Sequence, residues 1–497
     1  MLRKGDDAMY IQQESSSKPR RSILIIVILL LCSGTYLQYV TTKKANLFSF
    51  EPVIPSLTKI SDISNTTLPT PLENEMPPAC QRADFRWLAS DRSYWDGWVS
   101  KSFFMRKDGR FTRKNVQIGQ GESVCVAVLL GPIPAVSSIK HMPHYAPSDT
   151  IIMTATSEST GAAIPIRLAQ HDKQSNVYYA SVKFAQHGIW TLDTSVEYRS
   201  YFWEQPGIHH YRPNRFTSRN SLTVYKKPNG KSPFVEQPAE VCDLTEAFAL
   251  KDSAWIRKEG LQETEGHVRF EGARSVFVPS CQLSFDPSCF QSRLTLHIWG
   301  DHHLKRNLQH LIGDRPSTED MCNPEQQPSY DIDAPLVHDM TEIHFGEIDT
   351  DIVDHHQRWK LDMQGISRRL PKADVVILGV GNLDMMNMRQ HPNEFAKLFM
   401  SFLDYTVHDV YPNQRIIVKT TQYFAGHARA LNYGRSEAYA NIIRSAIASL
   451  SEQDKQRVIL WDTHQLGYKE NTCGDDSLLS HSHVVDIENA ILSHLFI

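Results

Sequence analysis

The stretch from Leu294 to Gly313, LTLHIWGDHHLKRNLQHLIG, constrains the possible folds of this chain most strongly. Its apolar first part predicts a buried strand, and its second part predicts a helix. Only Gly300 and Asp301 separate the two patterns. A strand that turns directly into a helix presents side chains and free backbone N–H groups to a ligand. We therefore expect a functional site at this turn.

Strands and helices alternate along the rest of the C-terminal half. Apolar runs of strand length begin near residues 341, 373, 415 and 457, and helical patterns follow the last three. This alternation predicts an α/β domain with a mostly parallel, doubly wound sheet. Ligands of such sheets bind beyond the carboxyl ends of the strands. Polar residues occupy these predicted ends at 300–302, 381–382 and 462–464.

The N-terminal half has a different pattern, because short apolar or alternating runs occur there without sustained helical spacing. Residues 80–225 are therefore predicted to form a β-sandwich of immunoglobulin type. The run NVYYASVKFAQHGIWTLDTSVEY within it resembles the late strands of filamin repeats. Residues 226–240 are rich in proline, glycine and lysine and are interpreted as a linker to a domain over 241–497.

The segment from Ile23 to Val40 is nearly uncharged and close to the ~20 residues that cross a bilayer. Basic residues are more frequent before it than after it, which places residues 1–22 in the cytoplasm. We expect a type II anchor at 23–40, a Ser/Thr/Pro-rich stem at 41–79 and a lumenal body, as in many Golgi membrane proteins. Asn65 begins a glycosylation sequon in the stem. A cleaved signal peptide is the alternative.

The composition is that of a globular protein, with 41% hydrophobic and 22% charged residues. A formal net charge of −4 gives no reason to expect nucleic-acid binding. Of the 8 cysteines, Cys32 lies in the predicted anchor, and the others would face an oxidising compartment where disulfides persist. Seven is an odd number, so one thiol is free or pairs with another chain.

Four motifs occur in order along the C-terminal half, namely IWGDHHLKRNL, GEIDTDIVDHHQRW, ADVVILGVGNLDM and HSHVVDIENAIL. With them, residues 241–497 resemble the PC-esterase branch of the SGNH/GDSL hydrolase superfamily. That branch includes the neurexophilin and PC-esterase domain proteins and the trichome-birefringence-like acetyltransferases. The resemblance implies an SGNH-like (flavodoxin-like) sheet, acylation or deacylation of a glycan or glycoprotein, and no cofactor.

In that family a serine after Gly-Asp attacks an ester, a C-terminal histidine takes the proton, and an aspartate orients the histidine. Backbone N–H groups, a glycine and an asparagine stabilise the oxyanion. Carried over to this sequence, the resemblance implies catalytic positions at Asp301, His302, Asp476 and His481. It implies oxyanion or substrate-binding positions at Gly300, Asn382, Gly346 and Arg306.

Two of these positions depart from the family pattern. His302 stands where the family has serine, and Leu478 stands three residues before His481, where the family has aspartate. One hypothesis is therefore an esterase or acyltransferase with an altered site, in which His302 or His481 acts as a base. The other is a catalytically inactive module that binds a glycan or a protein. Asp301 can also simply cap the helix that follows it.

A metal-dependent hydrolase is a third hypothesis, with no spacing signature to support it. It depends on a set of acidic residues and histidines in predicted loops and strand ends: Asp301, His302, His303, Asp354, His355, His356, Asp462, His464, His481 and His483.

Overall fold

The structure is a computed structural model. Residues 67–497 form one compact unit, and the other unit, residues 1–66, lies outside the described part of the chain. The predicted tail, anchor and glycosylation sequon, together with Asp476 and His481, also lie outside it. The described residues are 76–84, 100–130, 150–171, 174–198, 213–226, 242, 253–257, 270–271, 275–279, 281, 293–313, 328–338, 340–387, 390, 392–424, 434–468 and 482–494.

No helix among the described residues is long and apolar enough to cross a bilayer. A span needs ~20 mostly apolar residues, whereas the described helix Ile352–Ser367 has 16 residues and carries charged side chains along its length. The prediction of a single-pass type II protein of the Golgi or another secretory-pathway membrane is therefore wrong for the described part of the chain.

The described strands between residues 100 and 278 form two β-layers. The first sheet has the strand order β1-β3-β7-β6, and the second has the order β12-β13-β11-β5-β4-β8-β10-β2 with β9 beside β8. Their strands are β1 (Ser100–Phe104), β2 (Val116–Gly119), β3 (Ser123–Leu130), β4 (Thr150–Ser157), β5 (Ala163–Ile166), β6 (Ala169–His171), β7 (Gln174–Lys183), β8 (Gly188–Tyr198), β9 (Asn214–Thr217), β10 (Leu222–Tyr225), β11 (Ala254–Arg257), β12 (Phe270–Glu271) and β13 (Ser275–Val278).

The two layers share one apolar core, to which alternate residues of each strand contribute. Val126 and Val128 of β3 belong to the same buried cluster as Met153 of β4 and Leu192 of β8. The intervening residues of β3 point to the opposite face, because successive side chains of a strand alternate. That face is covered by residues 76–84, which the disulfide Cys80–Cys125 joins to β3.

A third sheet lies in the C-terminal half, with the order β15-β16-β14-β17-β18-β19. Strands β16, β14, β17, β18 and β19 run parallel, and the edge strand β15 is antiparallel. The strands are β14 (Thr295–Gly300), β15 (Leu336–His338), β16 (Thr341–Glu347), β17 (Val375–Gly379), β18 (Arg415–Lys419) and β19 (Val458–Trp461).

Helices cover both faces of this third sheet. One face packs against α2, α4 and α5, and the other packs against α1 and α7 together with Trp255 of β11 and Phe277 of β13. The helices are α1 (His302–Leu311), α2 (Ile352–Ser367), α3 (Asn382–Met386), α4 (Pro392–Tyr405), α5 (Ser436–Ala448), α6 (Glu452–Lys455) and α7 (Ser482–His494).

The predicted fold class is wrong as a description of the chain. The described residues form a mixed α/β structure with three sheets, and most of their strand pairs are antiparallel. They do not form an SGNH-like doubly wound parallel sheet that follows a separate immunoglobulin- or filamin-like sandwich. Strand β11 instead pairs with β5 at Trp255 and Ala163, so β11–β13 extend the second β-layer. Periodicity predicts that a segment is a strand, but tertiary contacts select its partner.

The disulfide between Cys80 and Cys125 generates a stability prediction. We expect the double substitution Cys80→Ala/Cys125→Ala to lower the free energy of unfolding by about 2–4 kcal/mol, because the crosslink across 45 residues no longer restricts the unfolded chain. Denaturant titration of both proteins measures the difference. The double variant Cys242→Ala/Cys281→Ala removes a crosslink across 39 residues and should lose a similar free energy of unfolding. Equal midpoints for the parent and the Cys80 variant would contradict the prediction.

Candidate functional site

The carboxyl ends of four parallel strands place polar residues along one edge of the third sheet. We call this edge the carboxyl rim and define it as residues 300–302 after β14, 381–382 after β17, 420–424 after β18 and 462–464 after β19. Since parallel strands end at the same edge, residues that are far apart in sequence meet here.

The turn between β14 and α1 is tight because two backbones approach each other closely at Gly300. A Cβ atom at this position would collide with Leu304 and with the carbonyl oxygen of Gly379, so only glycine fits. Asp301 then caps α1, and its Oδ1 accepts a hydrogen bond from the backbone N–H of His303 at 3.0 Å. The capping role considered for Asp301 is therefore confirmed.

Asp301 also connects to the next two strand ends through Asn382. The Nδ2 of Asn382 donates to Asp301 Oδ2 at 2.9 Å, and Asn382 Oδ1 accepts from the backbone N–H of Gln422 at 2.8 Å. Gly381 precedes Asn382 at φ +103°, a left-handed conformation that favours glycine. Both carboxylate oxygens of Asp301 and both polar atoms of Asn382 thus hold the rim together, and one N–H of the Asn382 amide is left for other contacts.

Two adjacent histidines begin α1. His302 is half-buried at the first helical position, and its ring centroid lies 4.4 Å from that of His303. His303 is buried, and its ring centroid lies 5.6 Å from that of Phe424. Burial, the neighbouring His302 and Lys419 together hold the pKa of His303 well below its usual value, so its ring is neutral. Among the described atoms its Nε2 has no hydrogen-bond partner.

Of the remaining predicted residues, the structure describes Arg306 and Gly346. Arg306 is buried one turn further along α1, and burial lowers its pKa to about 10 against the opposing influence of Glu488 and Asp486 of α7. Gly346 lies beside Trp299 in the sheet, where a Cβ atom would overlap the indole ring. Packing against Trp299 therefore accounts for this glycine. His481 and Asp476 lie outside the described residues, and their catalytic roles stay predictions.

A buried charge cluster continues the rim at the end of β19. Arg444 of α5 donates from Nε to Asp462 Oδ2 at 2.7 Å, from Nη2 to Asp462 Oδ1 at 2.8 Å and from Nη1 to Glu437 Oε1 at 2.7 Å. Arg167, which follows β5 in the second β-layer, adds a contact to Asp462 at 3.2 Å. The cluster therefore joins the rim to the β-layers through charge-assisted hydrogen bonds.

His464 and Tyr468 complete the charge cluster around the second oxygen of Glu437. His464 Nε2 lies 3.0 Å from Glu437 Oε2, and the Tyr468 hydroxyl donates to the same oxygen at 2.6 Å. The other ring nitrogen of His464 contacts the carbonyl oxygen of Thr421 at 2.7 Å. Although burial alone would raise it, Arg444 and His464 hold the pKa of Glu437 far below its usual range. Arg444 lowers the pKa of Asp462 against the same effect of burial.

The sequence interpretation missed most of this cluster. Asp462 and His464 were recognised as polar residues at a strand end, whereas Arg167, Glu437, Arg444 and Tyr468 were not. Glu437 and Arg444 are two turns apart on one helix, a spacing that places them on the same face. A buried face carrying two opposite charges was the signal available in the sequence.

The metal hypothesis finds no ligand set in the described part of the chain. No group of three His, Cys, Asp or Glu side chains in it is arranged to hold a metal ion. Both oxygens of Asp462 are already bonded to Arg444. Asp354 and His355 lie on α2, where they contact Gln390 and Asp351 respectively.

Comparisons with known proteins do not identify a family. No protein-family model matches the chain, and no curated protein matches it. One solved structure aligns with 41% of this chain and 96% of its own at 11% identity and a TM-score of 0.29. A glycoside hydrolase from Bacteroides vulgatus ATCC 8482 aligns at 11% identity. The alignment covers 69% of this chain and 55% of the hydrolase chain, with a TM-score of 0.15. A polysaccharide lyase aligns at 10% identity. The alignment covers 70% of this chain and 39% of the lyase chain, with a TM-score of 0.12. Similarity at this level supports no assignment.

Removing the arginine of the charge cluster should destabilise the protein in a pH-dependent way. We expect Arg444→Met to lower the free energy of unfolding by about 3–5 kcal/mol at pH 7, because Asp462 and Glu437 lose their main counter-ion. Both carboxyls have lowered pKa values when folded, so their contribution is present above the unfolded pKa of about 4 and is lost as the pH falls further.

The difference between the parent and Arg444→Met should therefore shrink when urea titrations at pH 7 are repeated below pH 4. Arg358→Met is the matched control, since Arg358 forms an exposed pair with Asp362 and such pairs contribute less than about 1 kcal/mol. Equal stability of the two methionine variants at pH 7 would contradict the prediction.

Removing the Asn382 amide should loosen the rim. We expect Asn382→Ala to cost at least about 2 kcal/mol, because Asp301 Oδ2 and the Gln422 N–H both lose a buried partner. The exposed amide Asn413 provides the control variant Asn413→Ala. Thermal and urea unfolding measure both variants, and similar losses for the two would show that the Asn382 bonds do not stabilise the rim.

Proposed function

We propose that this chain is a secreted or lumenal protein that binds a glycan at the carboxyl rim without acyl-transfer chemistry. One observation carries the proposal. Asp301 and Asn382 are hydrogen-bonded to each other and to the backbone, and the residue after Asp301 is a histidine where the family has a nucleophilic serine. The two disulfides agree with an oxidising compartment. The glycan as ligand rests on the PC-esterase resemblance.

Acyl transfer needs a nucleophile within hydrogen-bond reach of a base that a third group orients. His302 offers no hydroxyl, and an acyl group on an imidazole is labile. Asp462 and Glu437 are held ionised by Arg444, and both nitrogens of His464 are already in contact with protein atoms. The described groups of the rim are thus fixed in place by structural bonds, which suits recognition better than proton transfer.

The groups still available at the rim are suited to hydroxyl-rich ligands. They include the half-buried imidazole of His302 and, behind it in the rim, the second N–H of the buried Asn382 amide. Imidazole and amide groups pair with sugar hydroxyls, and a rigid rim reduces the ordering cost of binding.

Acyl transfer with a histidine as base is the second candidate. One observation favours it, namely the Nε2 of buried His303, which has no hydrogen-bond partner among the described atoms. A neutral imidazole can accept a proton from an attacking hydroxyl. In this case a glycan hydroxyl would attack the carbonyl carbon of an acyl ester, and the new O–acyl bond would form as the C–O bond of that ester breaks. His303 would take the proton of the hydroxyl and pass it to the alkoxide that leaves.

Assays on the purified protein separate the two candidates. We expect a panel of acetylated and de-acetylated oligosaccharides to show binding, and His302→Ala to weaken it about tenfold through the lost hydrogen bonds. We expect no ester hydrolysis or transfer by the parent above the uncatalysed rate. His408→Ala, a half-exposed histidine outside the rim, is the control variant.

Ester turnover by the parent that disappears in His303→Gln would reject the binding proposal and support acyl transfer. Ester turnover gained by His302→Ser would show that the rim is an esterase site that lacks only its nucleophile. Absence of both binding and turnover would reject both candidates.

A further inference from the structure

A strongly basic loop connects the two β-layers. Residues 105–115 run from β1, at the edge of the first sheet, to β2, at the edge of the second, and we call them the basic loop. The chain as a whole has a formal net charge of −4, yet this loop has five cationic side chains and one acidic side chain. All six are exposed: Arg106, Lys107, Asp108, Arg110, Arg113 and Lys114.

Most of this positive charge is not neutralised by the protein. Arg106 lies 3.5 Å from Asp108, and Lys107 lies 3.0 Å from Glu122. Within the described part of the chain, Arg110, Arg113 and Lys114 form no ion pair. Such a local excess of one sign produces a positive potential that attracts anions.

The basic loop is also held in one conformation. Buried Asn220 donates to the carbonyl oxygens of Phe104 and Lys114 at 3.0 and 3.2 Å, which fixes both ends of the loop. The backbone N–H of Asp84 donates to the carbonyl oxygen of Gly109 at 3.0 Å. Phe111 packs edge-on against Phe103, with centroids 6.1 Å apart.

Two local turns set the spacing of the loop's cations. The backbone N–H of Arg110 donates to Asp108 Oδ1 at 3.1 Å, and that of Lys114 donates to Thr112 Oγ1 at 2.8 Å. Gly109 has φ +78° at the first turn. A surface that is ordered before binding loses less conformational entropy when a ligand arrives.

We propose that the basic loop binds a sulfated acidic polysaccharide. The disulfides point to a secreted or lumenal protein, and sulfated and uronic-acid glycans are the extended polyanions of that environment. Guanidinium groups match sulfate oxygens through paired N–H donors.

The loop presents charge without an exposed aromatic or aliphatic side chain that could enter a lipid layer, because Phe111 is half-buried. This site lies on the β-layers and does not rest on the function proposed for the rim.

Heparin binding by the full chain tests the proposal. We expect retention on a heparin column and a dissociation constant for a heparin octasaccharide that rises with salt, since screening weakens ion contacts. The triple variant Arg110→Gln/Arg113→Gln/Lys114→Gln should bind at least about tenfold more weakly at 0.15 M salt and show a shallower salt dependence.

A second triple variant, Arg293→Gln/Arg368→Gln/Lys397→Gln, removes the same charge from exposed positions of the C-terminal half and should bind like the parent. The charge-conserving variant Arg110→Lys/Arg113→Lys should retain most of the affinity. Matching circular-dichroism spectra and melting temperatures establish that the variants are folded.

Equal weakening in both glutamine triples would overturn the proposal. Undiminished binding of de-sulfated heparin would overturn it as well, because the loop would then bind the polysaccharide without recognising its sulfate groups. Binding to phosphatidylserine vesicles or to duplex DNA in the absence of heparin binding would assign the loop to a different partner and reject the polysaccharide.

Discussion

The buried pair between Arg444 and Asp462 is the contact on which the rim and the β-layers jointly depend. Arg444 comes from α5 and Asp462 from the end of β19, while Arg167 reaches Asp462 from the second β-layer. Burial makes each charge costly on its own, so the three groups must be placed together. The hydroxyl of Thr420 lies 3.4 Å from Asp462. Thr420 and Gln422 belong to the same segment after β18, so this contact connects the charge cluster to the part of the rim that contains Gln422.

The rim is organised by two networks of different character. Asp301, Asn382 and the Gln422 N–H connect β14, β17 and β18 through hydrogen bonds that involve one charged group. The cluster around Arg444 connects β18 and β19 to α5 through several charges. Both networks use most of their polar atoms internally, which leaves the half-buried ring of His302 and one N–H of the Asn382 amide. A surface of this kind is rigid, with few groups left for chemistry.

The sequence predicted local structure better than it predicted assembly. The strand, turn and helix at 294–313 were readable because Gly300 interrupts an apolar run and Asp301 can cap a helix. The capping role of Asp301 and the polar character of the strand ends followed from residue type alone. The membership of β11–β13 in the second β-layer did not, since it depends on pairing between residues that are far apart in sequence. Arg167 was missed for the same reason, because its partner Asp462 is 295 positions away.

The pairing of β11 with β5 joins strands from both sides of the proline-rich segment 226–240 in one sheet. A polypeptide that ends there would expose the hydrogen-bonding edge of β5, and an open edge recruits other chains. The complementary piece would carry Trp255 and Phe277 without the β-layer that their strands extend. We therefore expect the two halves to fold as one unit.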